Sequence, residues 1–523
     1  MTRLIRAAGS ISALTLLSRI LGLWRDRLMA QTLGAGWVQG SFLIAWMLPN
    51  LMRRLLGEGA LSASFMPAYL KARKSGDAQA AKKLLADVAG TVITILTPLC
   101  LAVAVLSLVW PAEWLPAPAE GGVAAIRLLL AMNAILFVYA LPICLTAVLS
   151  GALNSLGYFA LPAAVPIVLN VFWIAAMLLA KPLGITVHVE IANFAAWCLF
   201  VGGFAQLLLV ITPLWRCGEL MRPRLGLPKR GTAAFGVFAA MGPMVLGMSL
   251  NQVSGLLDQL MAWFLVGPSA VTYIYLANRL LLFPHALTAI SVAVAVFPRL
   301  ASQAVDADKQ SLRQTLDLAA AATILVTLPA SCGLIVLGDD VVRVLFQGGH
   351  FAEGDAWQTV LTSSCLVAGL PFIGLAQLYA RAFYAVGDAG TPARLAARLV
   401  VLNAGLNLLL VLTTGLGAAA LTLASSLSSL ANAVLLARGF HRHAPPGNRL
   451  AGAWSRSILA TAVMCAVLPF VKVAPPGSTL LSRALGNVAL PIGVGVLVYL
   501  LVHVLLRSPE LRALRRSQSS EGS

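Results

Sequence analysis

Uninterrupted apolar runs constrain this chain more than any other feature of its sequence. Two of them extend from Val92 to Val109 and from Leu485 to Leu506, and about 20 apolar residues let a helix cross a bilayer. Only 11% of the residues are charged, less than half of the roughly 25% usual in soluble domains. A transmembrane β-barrel would instead show shorter segments of alternating polarity. The sequence therefore predicts an all-α polytopic membrane protein.

Fourteen stretches are long and apolar enough to be candidate membrane-spanning helices. Lysine and arginine concentrate in the segments 71–83, 216–230 and 438–456 and in the tail after Leu506, whereas the intervening connections hold few basic residues. Because short cytoplasmic loops are rich in basic residues, we expect both termini in the cytoplasm. The predicted spans are 10–33, 37–60, 84–110, 123–150, 159–180, 190–214, 233–265, 269–298, 314–337, 357–386, 392–413, 418–438, 453–472 and 482–506.

The two halves of the chain resemble each other at an offset of about 230 residues. Residues 89–106 align with residues 320–337, which places Pro98 on Pro329. Equivalent positions are six spans apart, an even number, so the halves should have the same orientation and be related by an axis along the membrane normal. We expect a six-helix N-lobe over residues 1–230, a six-helix C-lobe over 231–445, two further helices over 446–510 and a cytoplasmic tail over 511–523.

Several ionisable residues lie inside the predicted spans, where they are costly and usually functional. Arg19, Arg25 and Arg279 lie well within apolar stretches, whereas Arg27 and Arg54 lie where a long side chain can reach the membrane surface. Arginines outnumber acids in these spans, so we expect a positively charged cavity between the lobes. Duplicated helices packed without a cavity are the alternative. Because arginine presents a planar fork to phosphate and carboxylate oxygens, this cavity would suit an anionic substrate with a head group.

Charge and cysteine content argue against several other classes of protein. The formal net charge of +18 does not indicate nucleic-acid binding, because the charges lie in short loops and inside helices. Seven cysteines are scattered without the paired spacing of a metal or disulfide site.

The sequence has no Walker motif and no Ser/His/Asp order. We expect a transporter without a cofactor, not an enzyme, driven by Na⁺ or H⁺ coupling or by the membrane potential.

Five motifs make the chain similar to a known family. They are SRILGLWRD (18–26), LPNLMRRLLGEGALSASFMP (48–67), NRLLLFPHAL (278–287), LFQGGHF (345–351) and GDAGTP (387–392). These motifs closely resemble the MurJ (MviN) family of lipid II flippases, in the multidrug/oligosaccharidyl-lipid/polysaccharide exporter superfamily. The resemblance implies fourteen transmembrane helices, in two six-helix lobes plus two C-terminal helices that line a groove for the lipid tail.

The same resemblance implies a substrate, a direction of transport and a location. The substrate would be lipid II, the undecaprenyl-pyrophosphate-linked disaccharide-pentapeptide precursor of peptidoglycan. It would move by alternating access from the cytoplasmic to the periplasmic leaflet of the bacterial inner membrane. Besides membrane lipids, cell-wall synthesis and division proteins are the partners to expect.

The family pattern and the charges together imply roles for named residues. We expect substrate contacts from Ser18, Arg19, Arg25, Asn50, Arg53 and Arg279, whose arginines match those central to function in the family. Gating and ion pairing would involve Asp26, Pro49, Arg54, Glu58 and Gly59, with Glu58 and Gly59 belonging to the EGA motif. Asp258 is a candidate for ion coupling.

Two positions depart from the family pattern. Gly40 and Asn278 stand where family members typically have acidic residues, which makes the predicted cavity more cationic. This departure leaves open a flippase for another lipid-linked oligosaccharide. A multidrug exporter of organic cations would need buried acids, and a non-transporting scaffold of the cell-wall machinery would tolerate neutralisation of the arginines.

Overall fold

The computed structural model describes residues 2–55, 61–74, 78–306, 308–445, 447, 449–473, 475 and 479–509. Over these residues the protein consists of helices joined by short connections, without a β-strand. The all-α prediction is therefore confirmed. The chain divides into two compact units, the first formed by Met1–Thr272 with Gly349–Phe351 and the second by Tyr273–Gly348 with Ala352–Ser523.

The helices of the first unit precede those of the second along the chain, and α10 contributes to both. The first unit contains α1 (Thr2–Leu33), α2 (Trp37–Met52), α3 (Leu61–Lys74), α4 (Ala78–Val109), α5 (Gly122–Leu136), α6 (Ala140–Ser155), α7 (Ala160–Leu179), α8 (His188–Arg216), α9 (Ala233–Met261) and the start of α10 (Pro268–Val305). The second contains the rest of α10 with α11 (Lys309–Val336), α12 (Gly338–Phe346), α13 (Glu353–Val367), α14 (Leu370–Ala385), α15 (Gly390–Thr414), α16 (Ala418–Phe440), α17 (Arg449–Val467), α18 (Leu480–Arg483) and α19 (Leu490–Leu505).

Ten helical segments within the described residues are long and apolar enough to cross a membrane. They match ten of the fourteen predicted spans, which confirms a multi-pass membrane protein. The predicted spans 10–33, 37–60, 233–265 and 269–298 fall on α1, α2, α9 and α10 and are not among the ten. Helix α1 carries four ionisable residues from Arg19 to Arg27, and α2 has only 16 residues. The full count of fourteen stays a prediction.

Aromatic rings pack the interior of the first unit around Trp173. Its ring centroid lies 5.3 Å from that of Phe42 and 5.3 Å from that of Trp46, whose own centroid lies 5.2 Å from that of Tyr139. The Tyr139 hydroxyl donates to Gln206 Oε1 at 2.9 Å, so the polar end of the buried ring has a partner. These contacts join α2, α7 and α8 to the turn between α5 and α6.

The second unit has an apolar cluster of its own and carries the last two long helices. The cluster includes Leu300, Leu316, Tyr379, Phe383 and Phe440, from α10, α11, α14 and α16. Helix α19 packs against α11, where the Tyr499 hydroxyl donates to the Leu325 carbonyl oxygen at 2.7 Å. It also approaches the end of α17, where Gly495 lies against Met464 and Leu468.

Candidate functional site

Arg25 and Asp26, neighbours on α1, are the charged groups that the described part of the first unit buries. Their side chains form an ion pair in which Arg25 Nε and Nη2 donate to Asp26 Oδ1 at 2.9 and 2.7 Å. Only 7% of Arg25 and 1% of Asp26 are exposed. Removal of either partner would leave a lone buried charge, so the two side chains hold each other in place.

Helix α7 provides two further contacts to the Arg25 guanidinium. Asn170 Oδ1 accepts a hydrogen bond from Arg25 Nη1 at 3.0 Å. The guanidinium carbon of Arg25 also lies 4.5 Å from the centre of the Trp173 ring, a distance at which the cation is attracted to the ring face. Trp173 is itself fully buried among Phe42 and Trp46. The guanidinium is thus preorganised among an acid, an amide and an aromatic ring.

Asn170 also contacts an earlier turn of α1, besides its contact with Arg25. Its Nδ2 donates to the Ser18 carbonyl oxygen at 3.0 Å, so Ser18 and Arg25 lie on one face of α1, as their seven-residue spacing predicts. Arg19 is exposed in the first unit. Of the residues predicted on α1, the structure therefore brings Ser18, Arg25 and Asp26 together and leaves the Arg19 cation accessible.

The end of α2 carries the next group of predicted residues. Pro49 is buried inside the helix, and Arg53 is half-buried, with its Nε and Nη2 donating to Asn50 Oδ1 at 3.2 and 3.0 Å. Arg54 is exposed, and its Nη1 donates to Gln252 Oε1 of α9 at 3.4 Å. Glu58 and Gly59 lie outside the described residues, so the Arg54–Glu58 pair stays a prediction.

Arg279 lies on the part of α10 that belongs to the second unit. Its Nη2 donates to the Tyr275 hydroxyl at 2.7 Å, and its guanidinium carbon lies 4.9 Å from the Tyr275 ring centre. The preceding Asn278 donates from Nδ2 to the Ile274 carbonyl oxygen at 2.8 Å. Asp258 is half-buried on α9 of the first unit. Convergence of Arg279 with the arginines of the first unit stays a prediction.

Gly40, which we expected to stand in place of an acid, lies where α2 meets the first residue of α10. A Cβ atom built on Gly40 would overlap the carbonyl oxygen of Pro268. The obstacle is backbone and cannot rotate away, so this packing leaves no room for an aspartate or glutamate at position 40. This packing therefore requires glycine at position 40.

The carboxylate of Glu120, in the connection before α5, lies at the start of α10. Glu120 Oε1 accepts from the Ser269 hydroxyl at 2.6 Å, and Oε2 accepts from the Ser269 backbone nitrogen at 3.2 Å. An acid at the start of a helix satisfies a free N–H group and interacts favourably with the helix dipole. The following Gly121 has φ +74°, and a Cβ there would lie 2.7 Å from the Trp37 ring.

The LFQGGHF motif supplies the short segment that joins the first unit from the second half of the sequence. The His350 backbone nitrogen donates to the Gln31 carbonyl oxygen at 2.8 Å. Gly349 has φ +57°, and a Cβ on it would overlap the same Gln31 oxygen. The His350 ring centroid lies 4.4 Å from that of His188. The second glycine of the motif is therefore required for docking onto the end of α1.

Asn170, Trp173 and Glu120 were not among the site residues predicted from the sequence. Asn170 and Trp173 sit inside an otherwise apolar run, LPAAVPIVLNVFWIAAMLL, where a polar residue in a span was the available signal. Glu120 looked like an ordinary loop acid, and the sequence offers no signal that links it to Ser269. Within the described residues, no group of three or more His, Cys, Asp and Glu side chains is arranged to hold a metal ion.

Comparison with known proteins identifies the family. The family model described as "Lipid II flippase MurJ" matches residues 29–481. A Burkholderia cenocepacia protein named "Lipid II flippase MurJ" is 34% identical over 84% of this chain and 84% of its own length. The chain belongs to the lipid II flippase MurJ family. The resemblance predicted from the five motifs is therefore confirmed.

Two further MurJ proteins extend the similarity to the whole chain and to its fold. A Vibrio cholerae serotype O1 protein named "Probable lipid II flippase MurJ" is 32% identical over 98% of both chains. This match extends beyond residues 29–481, the region of the MurJ family model. A solved structure of lipid II flippase MurJ in an inward closed conformation superposes with a TM-score of 0.74 at 22% identity, covering 95% of this chain and 98% of that one. The fold is therefore MurJ-like.

Proposed function

We propose that this protein is a lipid II flippase, which moves the undecaprenyl-pyrophosphate-linked peptidoglycan precursor from the cytoplasmic to the periplasmic leaflet by alternating access. Membership of the MurJ family supports this function, as do the names of relatives that match the chain over most of its length. The structural observation that carries it is the buried Arg25, held by Asp26, Asn170 and Trp173. A fixed cation inside a membrane helix suits the diphosphate of this substrate.

The proposed architecture is fourteen transmembrane helices in two parallel six-helix lobes, followed by two C-terminal helices. The alignment of residues 89–106 with residues 320–337 and the even number of spans between equivalent positions support it. The protein would lie in the bacterial inner membrane with both termini in the cytoplasm, as the distribution of basic residues predicts. Packing of α19 against α11 is consistent with a C-terminal helix pair carried by the second unit.

The four predicted arginines would contribute unequally to binding of the diphosphate. They are Arg19, Arg25, Arg53 and Arg279. Arg19 is exposed and Arg53 is half-buried, so both can meet an anion with little rearrangement. Arg279 lies over Tyr275, which orients its guanidinium. Arg25 would engage by exchanging an Asp26 oxygen for a phosphate oxygen, since both are anionic acceptors for the same donors. This exchange would release the Asp26 carboxylate, so binding would loosen the ion pair that holds α1.

Energy for the transport step would come from an ion gradient or the membrane potential. The sequence contains no P-loop for ATP. One elementary charge crossing the membrane potential is worth about 2.3 kcal/mol per 100 mV. Asp258, half-buried on α9, is the residue that we propose for Na⁺ or H⁺ coupling.

Complementation of a strain depleted of its own lipid II flippase tests this function. The wild-type chain should restore growth, whereas Arg19→Ala and Arg279→Ala should fail at equal amounts of inserted protein. Arg127→Ala is the matched control, because Arg127 is exposed and pairs only with the exposed Glu113 among the described residues. A correctly inserted wild-type chain that does not restore growth would contradict the lipid II assignment. Alanine variants as active as the wild type would contradict the role of the arginines and favour a scaffold.

A flippase for another lipid-linked oligosaccharide is the second candidate. Gly40 and Asn278 favour it, because they replace acids that the family typically has at these positions. The two candidates differ in a transport assay with purified protein in vesicles. A lipid II flippase should move lipid II faster than an undecaprenyl-pyrophosphate-linked glycan without a peptide, and the second candidate should show the reverse preference.

A further inference from the structure

A groove on the first unit lies between the start of α7 and the end of α8. Its volume is about 570 Å³. Leu161, Leu208, Leu209 and Pro213 line it with apolar side chains, and polar groups come from Tyr158, Thr212, Arg216 and Cys217. The Cys217 thiol donates to the Tyr158 hydroxyl oxygen at 3.8 Å, which links the two chain segments. The groove is therefore largely apolar beside the three leucines and polar toward the end of α8, from Thr212 to Cys217.

This groove faces away from the Arg25 site. Leu161 and Asn170 are nine residues apart on α7, and at 100° per residue this spacing places them on opposite faces of the helix. Asn170 contacts Arg25, whereas Leu161 lines the groove. Both α7 and α8 are among the segments apolar enough to span a membrane, and Leu208 is 60% exposed. The walls of the groove thus present apolar surface on the side of α7 that does not carry the candidate site.

The polar end of the groove carries a positive charge. Arg216 is the last residue of α8 and is exposed, and no ion pair between described residues involves it. The neighbouring Trp215 is 70% exposed, as is typical of aromatic residues at a membrane–water interface. The segment 216–230 that follows is one of the basic segments assigned to the cytoplasmic side. Anionic lipids concentrate in the cytoplasmic leaflet and attract such residues.

We propose that this groove binds one anionic glycerophospholipid of the cytoplasmic leaflet. Its phosphate would accept hydrogen bonds from the Arg216 guanidinium and the Tyr158 hydroxyl, and one acyl chain would lie along Leu161, Leu208 and Leu209. The proposal rests on the orientation given under the proposed function, but not on the transported substrate. It assigns to the outer face of α7 and α8 a lipid site separate from the transport arginines.

The full-length protein in detergent can be titrated with phosphatidylglycerol and with phosphatidylcholine of the same acyl chains, and bound lipid counted by native mass spectrometry. The wild type should prefer phosphatidylglycerol, and Arg216→Gln should lose about tenfold in affinity for it, which corresponds to about 1.4 kcal/mol. Arg222→Gln removes the same charge from an exposed residue of the same basic segment outside the groove and should bind as the wild type does. Leu208→Trp should fill the groove and weaken both lipids.

Equal phosphatidylglycerol binding by the wild type and Arg216→Gln would overturn the proposal, as would an equal loss in Arg222→Gln, which would indicate general charge attraction. Displacement of the lipid by inorganic phosphate alone would also overturn it, because the acyl chain would then contribute nothing. Growth complementation is measured separately. A chain that prefers phosphatidylglycerol through Arg216 yet fails to complement would refute the proposed function and leave the lipid site standing.

Discussion

Asn170 on α7 accepts a hydrogen bond from Arg25 on α1 and donates one to the Ser18 carbonyl oxygen two turns earlier. One amide therefore fastens two turns of α1 to α7. Asn170→Leu should remove both hydrogen bonds and lower the free energy of unfolding by about 1–3 kcal/mol. Thermal unfolding in detergent would measure the loss, and complementation should fail.

Asn133→Leu is the control for this variant. Asn133 is also buried, and its Nδ2 donates to the Ser107 hydroxyl at 2.9 Å, away from Arg25. The control should lose stability but retain transport. Equal growth with Asn170→Leu and with the wild type would show that the link between α1 and α7 has no part in transport.

Asp26 should matter most through the charge that it neutralises. Asp26→Asn leaves the buried Arg25 guanidinium without its counter-ion, and breaking a buried pair in this way costs about 3–5 kcal/mol. The double variant Arg25→Gln with Asp26→Asn removes both charges and should be more stable than Asp26→Asn alone. The free energies of unfolding of the wild type, Asp26→Asn and the double variant can be compared by denaturation in the same detergent. A double variant less stable than Asp26→Asn would mean that the contacts of Arg25 to Asn170 and Trp173 outweigh its need for a counter-ion.

Gly40→Ala tests the close contact between α2 and α10. Although alanine favours helices, its Cβ would overlap the Pro268 carbonyl oxygen, so we expect a loss of about 1–3 kcal/mol from overpacking. Gly405→Ala is the matched control, because Gly405 also lies inside a helix, α15, and a Cβ built there meets no neighbouring element within 4 Å. The melting temperature should fall for Gly40→Ala and should not fall for Gly405→Ala. Similar melting temperatures for both variants would contradict the packing at this contact.

Glu120→Gln tests the carboxylate at the start of α10. The amide keeps the shape of the side chain but removes the negative charge beside the helix N-terminus, so we expect a loss of about 0.3–1 kcal/mol. If the position of this helix end matters for transport, complementation should weaken by more than that small loss of stability explains. Glu113→Gln alters an exposed acid of the same connection and should grow normally. If Glu120→Gln and Glu113→Gln complement growth equally well, Glu120 has no role in transport.

Much of the helical framework could be predicted because its cause is local. Apolar runs such as Val92–Val109 require a helix wherever lipid surrounds them, and ten of the predicted spans match described helices. The remaining four contain polar or charged residues, such as Arg25 and Asp26 on α1, whose tolerance depends on neighbours that composition does not reveal. The sequence showed these two adjacent charges inside a span, but it did not predict that they pair with each other.

The partners of that pair could not be predicted, because they are distant in the chain. Asn170 is 145 residues from Arg25, and no spacing rule connects them. The resemblance likewise drew attention to Gly40, but its close contact with Pro268, more than 200 residues later, could not be predicted. Motifs predicted which residues matter, whereas the structure showed which contacts hold them.

The contact between Gly40 and Pro268 also limits how this chain can change. An aspartate or glutamate placed at position 40 by a single mutation would overlap the Pro268 carbonyl oxygen and force the start of α10 away from α2, so the loss of packing would come before any effect of the charge. A viable route has to move or replace Pro268 first, which makes the two positions epistatic. Glu120 adds to this barrier, because its hold on Ser269 depends on the present start of α10. An acidic substitution at position 40 would therefore change the packing of α2 against α10 as well as the charge. Loss of transport in such a variant would say nothing about the substrate.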